Sequence, residues 1–234
     1  MIVRRGPGVL HLVTQPDHAA LAARIMAVWP PLEDAPRRGD ILAAIEQHDR
    51  GWREADAAPT VDVATGTVLD FVHVPASVRQ GVWSVSVGLL ASMPWAAALV
   101  AHHAVTVYDR FRPAPEWHGF FDTMTALRRE HLGRAGGDLP ALAQDYVFLR
   151  LGDLLSLAFC TATDATAEFN GWAVRLEGTR VHVTPNLFRT AVRLDVAARE
   201  IPDVPYATND ALAAAIAAGV PRTLEGAIAP SGRA

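Results

Sequence analysis

The chain contains no lysine: all 21 of its basic residues are arginine. That absence removes a lysine Schiff base and a lysine-bearing phosphate loop. Together with the abundant alanine it reads as a GC-rich coding bias. Cysteine is nearly absent too. Cys160 stands alone, so no intramolecular disulfide can form, which fits a reducing cytoplasm. Beside Leu157 and Phe159 it reads as a small buried hydrophobe. Charge of one sign is scarce: the formal net charge is -4, which gives no footprint for nucleic acid or an anionic membrane. There is no Gly-x-Ser-x-Gly elbow, and the Gly133 to Gly137 run is a helix break, not a nucleotide cradle. The apolar stretch from Val82 to Val107 is broken by Pro94 and carries His102 and His103, so it reads as a core helix behind a loop, not a membrane span. The apolar run near Met1 is too short and interrupted for a signal peptide. The expectation is a cytoplasmic protein with no nucleic-acid or membrane partner; a homo-oligomer stays open.

What is present is a chain of 234 residues, half of them hydrophobic, enough to bury one sizeable core. Residues 2–5 and 9–14 alternate around Gly6-Pro7-Gly8 and predict a β-hairpin. Gln15-Pro16-Asp17 opens a helix that Trp29-Pro30-Pro31 stops. Asp40 caps a second helix ending near His48-Asp49. Residues 50–80 read as a long irregular loop. Further helices are predicted over 78–91, 95–110, 116–133 and 139–159. After Asn170-Gly171 the period becomes two-fold, which predicts strands over 172–176, 180–184 and 188–196, and a last helix over 210–218. The predicted fold class is mainly α: one domain over 1–234, with a helical bundle at about 16–160, an N-terminal β-hairpin and a small C-terminal antiparallel β element at about 170–205.

Several polar residues occupy apolar helical positions. His18 precedes Leu21 and Ile25, His48-Asp49 closes Ile41 to Gln47, His103 lies in the apolar run from Ala96, where only one of His102 and His103 can face inward with Leu99, and Asp153 lies within Val147 to Phe159. An uncompensated carboxylate at Asp153 would cost several kcal/mol, on the order of a lost buried ion partner. Arg150, one turn earlier, is one compensating partner; a metal ion shared with the histidines is the other. Neighbouring residues on a helix diverge by about 100°, so His48 and Asp49 reach one ion only because their helix ends there.

The order His18, His48-Asp49, Asp153 resembles the H…HD…D signature of the HD-domain superfamily of metal-dependent phosphohydrolases. The run Leu149 to Leu157 is similar to the apolar helix that carries the last aspartate in that family. A closer resemblance, over nearly the whole chain, is to a largely uncharacterised bacterial branch of HD-like proteins. The motifs that carry it are the Met1 to Arg5 strand, Gln15 to Ala19, His48 to Trp52, Asp56, and Pro94 to Ala97 leading to His103.

The resemblance implies an HD-like helical bundle with His18, His48, Asp49 and Asp153 as metal ligands. It makes His103 a ligand of the extra-histidine type, with His73 or His102 as an additional one. It implies one or two divalent transition-metal ions, for which Mn²⁺ or Fe²⁺ suit the mixed nitrogen and oxygen donors. The expected activity is hydrolysis of a phosphate ester in a small anionic substrate, with Asp49 positioning the attacking water. Trp52, Asp56, Arg128 and Arg129 are candidate substrate-binding residues. Two alternatives stand beside it: a di-iron oxygenase, which needs six protein ligands, and a non-catalytic HD-fold binding module.

Overall fold

The computed structural model describes residues 1–231. Strands β1 (Ile2–Gly6) and β2 (Val9–Val13) form the N-terminal hairpin, whose turn uses Gly8 at φ +73°. Thr14 then starts helix α1 (Gln15–Ala27), its hydroxyl accepting from the Asp17 amide. A short turn, α2 (Pro30–Glu33), leads into α3 (Arg38–Gln47). Next come α4 (Arg53–Ala57), α5 (Ala76–Leu89), α6 (Pro94–Val107), α7 (His118–Arg134) and the long α8 (Leu139–Thr161). Asp138 caps α8 through the Ala141 amide, and Ala162 ends it in the left-handed conformation. Strands β3 (Ala167–Phe169), β4 (Trp172–Glu177), β5 (Arg180–Thr184) and β6 (Val192–Pro202) follow, then α9 (Asn209–Ala218) and β7 (Val220–Ile228).

The strands correct the expectation of a mainly α, all-helical bundle with two separate β appendages. They form one seven-stranded mixed sheet in the order β1-β2-β6-β7-β5-β4-β3. The N-terminal hairpin does not stand alone: β2 pairs with β6, Leu10 facing Ile201 and Leu12 facing Arg199. The β5–β7 pair is parallel and the other pairs are antiparallel. Helix α8 touches β1 near one edge and β3, β4 and β5 near the other, so the sheet curls around it. Alternation in β6 shows why: Leu194 and Val196 are buried toward the helices, while Arg193 and Ala197 face outward. At the hairpin end the outer face is covered by α9 and the Val61–Val68 bridge, through Leu10, Leu12, Ile201 and Leu212.

Other expectations shift with this. The third C-terminal strand begins at Val192, not Phe188, and runs on to Pro202. Residues 50–80 are not wholly irregular, since α4 and the Val61–Val68 bridge fall inside them. Among the described residues, no helix is long and apolar enough to cross a membrane.

Two glycines set the distances that matter for function. A Cβ on Gly152 would lie 2.7 Å from Met26 Cγ, so α8 and α1 cross in close contact beside Asp153. A Cβ on Gly51 would meet the Val82 carbonyl oxygen at 1.9 Å. The backbone after His48-Asp49 is therefore pressed against α5, and only glycine fits there.

Candidate metal centre

Four elements deliver five ligand-type side chains to one buried point. His18 comes from the second turn of α1, His48 and Asp49 from the end of α3, His103 from α6 and Asp153 from the middle of α8. All five are buried. His18 Nε2 lies 3.2 Å from Asp153 Oδ1 and 3.7 Å from Asp49 Oδ2. His48 Nε2 lies 3.4 Å from Asp49 Oδ2 and 3.7 Å from Asp153 Oδ1, and His103 Nε2 lies 3.6 Å from Asp153 Oδ2. Donor atoms about 2.1 Å from a common cation stand about 3.0–3.4 Å apart, close to these separations. The donors fall into two overlapping sets that could each hold an ion: His18, His48 and Asp49, and His48, His103 and Asp153.

The histidines are oriented for this. His48 Nδ1 lies 2.7 Å from the Ile45 carbonyl. A carbonyl only accepts, so Nδ1 carries the proton and Nε2 presents its lone pair. Ser156 Oγ donates to the Asp153 carbonyl at 3.2 Å and lies 2.7 Å from His18 Nδ1, which leaves its lone pair to accept the Nδ1 proton. His103 Nδ1 is held 3.1 Å from the Tyr146 hydroxyl. The Nε2 atoms of His18 and His48 are buried with no hydrogen-bond partner. Two orphaned imidazole nitrogens facing two carboxylates are a poor arrangement for protein groups alone and a good one for a divalent cation.

Charge supports the same reading. Burial alone would raise the Asp153 pKa, but His18, His48 and Arg150 outweigh it and hold the carboxylate well below the usual range. Burial pushes His103 well below its ordinary value, so it stays neutral, as a ligand must. Burial opposes a charge on His48 as well, yet Asp49 and Asp153 draw it up to about 9. A divalent cation between those carboxylates would take the place of that proton. Arg150 Nη1 lies 2.5 Å from Asp153 Oδ2, leaving Oδ1 toward the imidazoles of His18 and His48. The arginine and the histidines thus share Asp153.

A cavity of about 190 Å³ opens over the cluster. Asp49, His103 and Asp153 line it, Trp52, Phe71, Trp83 and Tyr108 give it aromatic walls, and Arg79, Arg110 and Arg150 bring positive charge to it.

The remaining candidates fall elsewhere. His73 is exposed and hydrogen-bonded to Asp70 at 2.6 Å, outside the cluster. His102 points away from His103, stacks edge-on against Tyr146 and receives the Arg128 guanidinium at 3.0 Å on Nδ1. The six-ligand arrangement of the oxygenase alternative is therefore not assembled among the described residues. Arg128 and Arg129 do not line the cavity. Asp56 is a structural anchor: its carboxylate accepts the Gln15 amide at 2.5 Å and pairs with the Met1 amine. Reading the sequence missed Ser156, Tyr146, Arg79 and Trp83. Their signal was periodicity. Tyr146, Arg150, Asp153 and Leu157 recur at helical spacing, and Ser156 follows Asp153 by one turn.

No curated protein and no solved structure matches the chain. One family model does, over residues 1–203, and its description is a protein of unknown function, DUF3891. The match spans the hairpin, the whole helical layer and strand β6, and with it every residue of the cluster, so the chain belongs to the DUF3891 family.

Proposed function

We propose that this protein is a metal-dependent hydrolase of a small phosphate ester, with an HD-like ligand set of His18, His48, Asp49, His103 and Asp153. The observation that carries the reading is that three of those ligands, Asp49, His103 and Asp153, line a cavity to which Arg79, Arg110 and Arg150 bring positive charge, with His18 and His48 packed behind them. Imidazole and carboxylate donors suit Mn²⁺ or Fe²⁺. Bound there, such an ion lowers the pKa of water and polarises a phosphoryl oxygen.

The chain's own groups supply the rest. Asp49 lies at the cavity wall beside His48 and orients the attacking water. Arg79 and Arg110 form no ion pair among the described residues, so both guanidiniums are available to an anionic substrate. The aromatic walls exclude bulk water. Hydrolysis consumes one water, breaks one P–O ester bond and releases the alcohol and phosphate.

The test is metal analysis of protein purified without chelators, followed by p-nitrophenyl phosphate turnover with added Mn²⁺ or Fe²⁺. Bound metal and turnover, both lost in Asp49→Ala, are expected. Protein that holds no metal and shows no thermal shift with either ion would leave only a binding module. Oxygen consumption by an iron-loaded protein without ester cleavage would favour oxygenase chemistry.

A further inference from the structure

Seven buried side-chain polar atoms in the described residues lack a hydrogen-bond partner; five gather at one place, and the other two, His11 Nδ1 and Trp172 Nε1, lie on the sheet. His18 Nε2 and His48 Nε2 belong to the metal cluster. Three more, Gln15 Oε1, Arg79 Nε and Trp83 Nε1, belong to side chains that line the cavity above it, and of these Trp83 has the Tyr108 hydroxyl as a neighbour while Gln15 Oε1 and Arg79 Nε have none. A buried polar group left unsatisfied destabilises the fold by its full desolvation penalty. Such a cost concentrated in one cavity is what a ligand-binding site carries before its ligand arrives.

Each atom has a definite chemical demand. Arg79 and Trp83 stand one helical turn apart on α5, and both are donors. The Arg79 guanidinium is held over the Phe111 and Trp117 rings, at 5.2 and 5.4 Å, and makes no ion pair among the described residues. The Trp83 ring stands 5.5 Å from that of His103, so this donor wall adjoins the metal cluster. Gln15 belongs to α1, one turn before His18, and its unpaired oxygen is an acceptor. The cavity, at about 190 Å³, is smaller than the ~300–1,000 Å³ of drug-sized pockets.

From this pattern we infer that the site selects a compact phosphomonoester whose alcohol part carries a hydrogen-bond donor, a hydroxyl or an ammonium. Arg79 and Trp83 take the anion and Gln15 takes that donor. The inference rests on the hydrolase reading for the location of the phosphate. At about 190 Å³ the cavity matches a phosphate with a short alcohol, and the nucleoside of a nucleotide would extend out of its mouth.

Non-hydrolysable probes separate recognition from turnover. Propylphosphonate and 3-hydroxypropylphosphonate differ only in the hydroxyl. They are titrated calorimetrically, under nitrogen, into the full chain loaded with Mn²⁺. The hydroxylated probe is expected to bind at least about tenfold tighter, because a polar group left unpaired penalises the analogue that lacks its partner. In Gln15→Met, close in shape but without the acceptor, the ratio should fall to about one. In Gln15→Glu the ratio should return, with weaker binding of both anions. Arg79→Gln should weaken both probes at least about tenfold and keep the ratio, with metal content unchanged in every variant. Equal binding of the two probes to the unaltered protein would overturn the selection. Tighter binding of a nucleoside monophosphate than of the hydroxylated probe would overturn the size argument. Discrimination without any ester turnover would sink the hydrolase reading alone and leave the recognition standing.

Discussion

Ser156 and His18, 138 residues apart, meet at 2.7 Å between Oγ and Nδ1. The contact fixes which nitrogen of His18 carries the proton. The Ser156 hydroxyl spends its own proton on the Asp153 carbonyl, so its oxygen accepts from Nδ1 and Nε2 is left as a lone pair. Ser156→Ala removes that instruction without changing any ligand. Outer partners of this kind are worth about 10–100-fold in metal affinity. The expected outcome is a loss in that range for Mn²⁺, read by competition with a chelating dye, with the thermal unfolding midpoint of the chelator-treated protein lowered by only a few degrees, the cost of a buried Nδ1–H that loses its acceptor. An unaltered affinity would mean that His18 does not coordinate.

Gly152 sets the spacing between the helices that carry His18 and Asp153. Alanine there gains about 1 kcal/mol in helix propensity. Its methyl group, however, would lie 2.7 Å from Met26 Cγ, and overpacking of this kind costs about 1–3 kcal/mol. Gly152→Ala should therefore destabilise the protein by up to about 2 kcal/mol in urea unfolding and weaken metal binding. A stabilised variant would show that Met26 moves aside freely and that the crossing is not tight.

The helical layer and the ligand residues were legible because both leave local signatures. Apolar positions recur at helical spacing from Gln15 to Thr161, and a charged group amid Leu151, Leu154 and Leu155 has few inexpensive explanations. The choice between His102 and His103 was also partly legible: His103 follows Leu99 by four residues and shares its inward face. What the sequence does not encode locally is strand partnership. Nothing within β2 announces that Leu12 faces Arg199. Strand β7 was hidden by Pro221 and Gly226, which normally break strands. Pro221 is tolerated because β5 reaches β7 only at Ala227 and Ile228, so its end of the strand has β6 as a single neighbour. Gly226 is required because a Cβ there would lie 2.5 Å from Phe159. The cavity arginines were missed for a similar reason. Arg79, on α5, and Arg110, just past the end of α6, line one cavity only because those two helices pack together.

Cys160 offers a check on the curled sheet. Burial pushes its thiol up to about 12, partly opposed by Arg4 from β1. At pH 8 the thiolate fraction is then about one in ten thousand, and the thiolate is the reactive form. The folded protein should resist iodoacetamide at pH 8, with mass-spectrometric labelling appearing only in denaturant. Rapid labelling of the folded chain would show that β1 does not close over this end of α8.

Asp49 and Asp56 sit seven residues apart in the same motif-rich stretch, yet their surroundings give them different tasks. Asp49 faces His48 and His18 across 3.4 and 3.7 Å, whereas Asp56 accepts the Gln15 amide and pairs with the Met1 amine. Replacing each with asparagine separates the roles. A ligand present at a hundred times its Kd stabilises the folded state by about 2.7 kcal/mol, which for a chain of this size raises Tm by about 5–11 °C. Asp49→Asn should abolish the Mn²⁺-dependent rise and lower the chelator-treated Tm only modestly, because in the metal-free protein its carboxylate faces the His48 and His18 imidazoles and bonds no backbone group. Asp56→Asn should lower the chelator-treated Tm, since a buried amide and an amine lose a charged partner worth about 1–3 kcal/mol. It should retain the Mn²⁺-dependent rise. Differential scanning fluorimetry with and without Mn²⁺ reads both effects. Were the two variants to exchange phenotypes, the ligand set drawn around His18 and His48 would be wrong, and the metal would have to lie nearer the N-terminal strand.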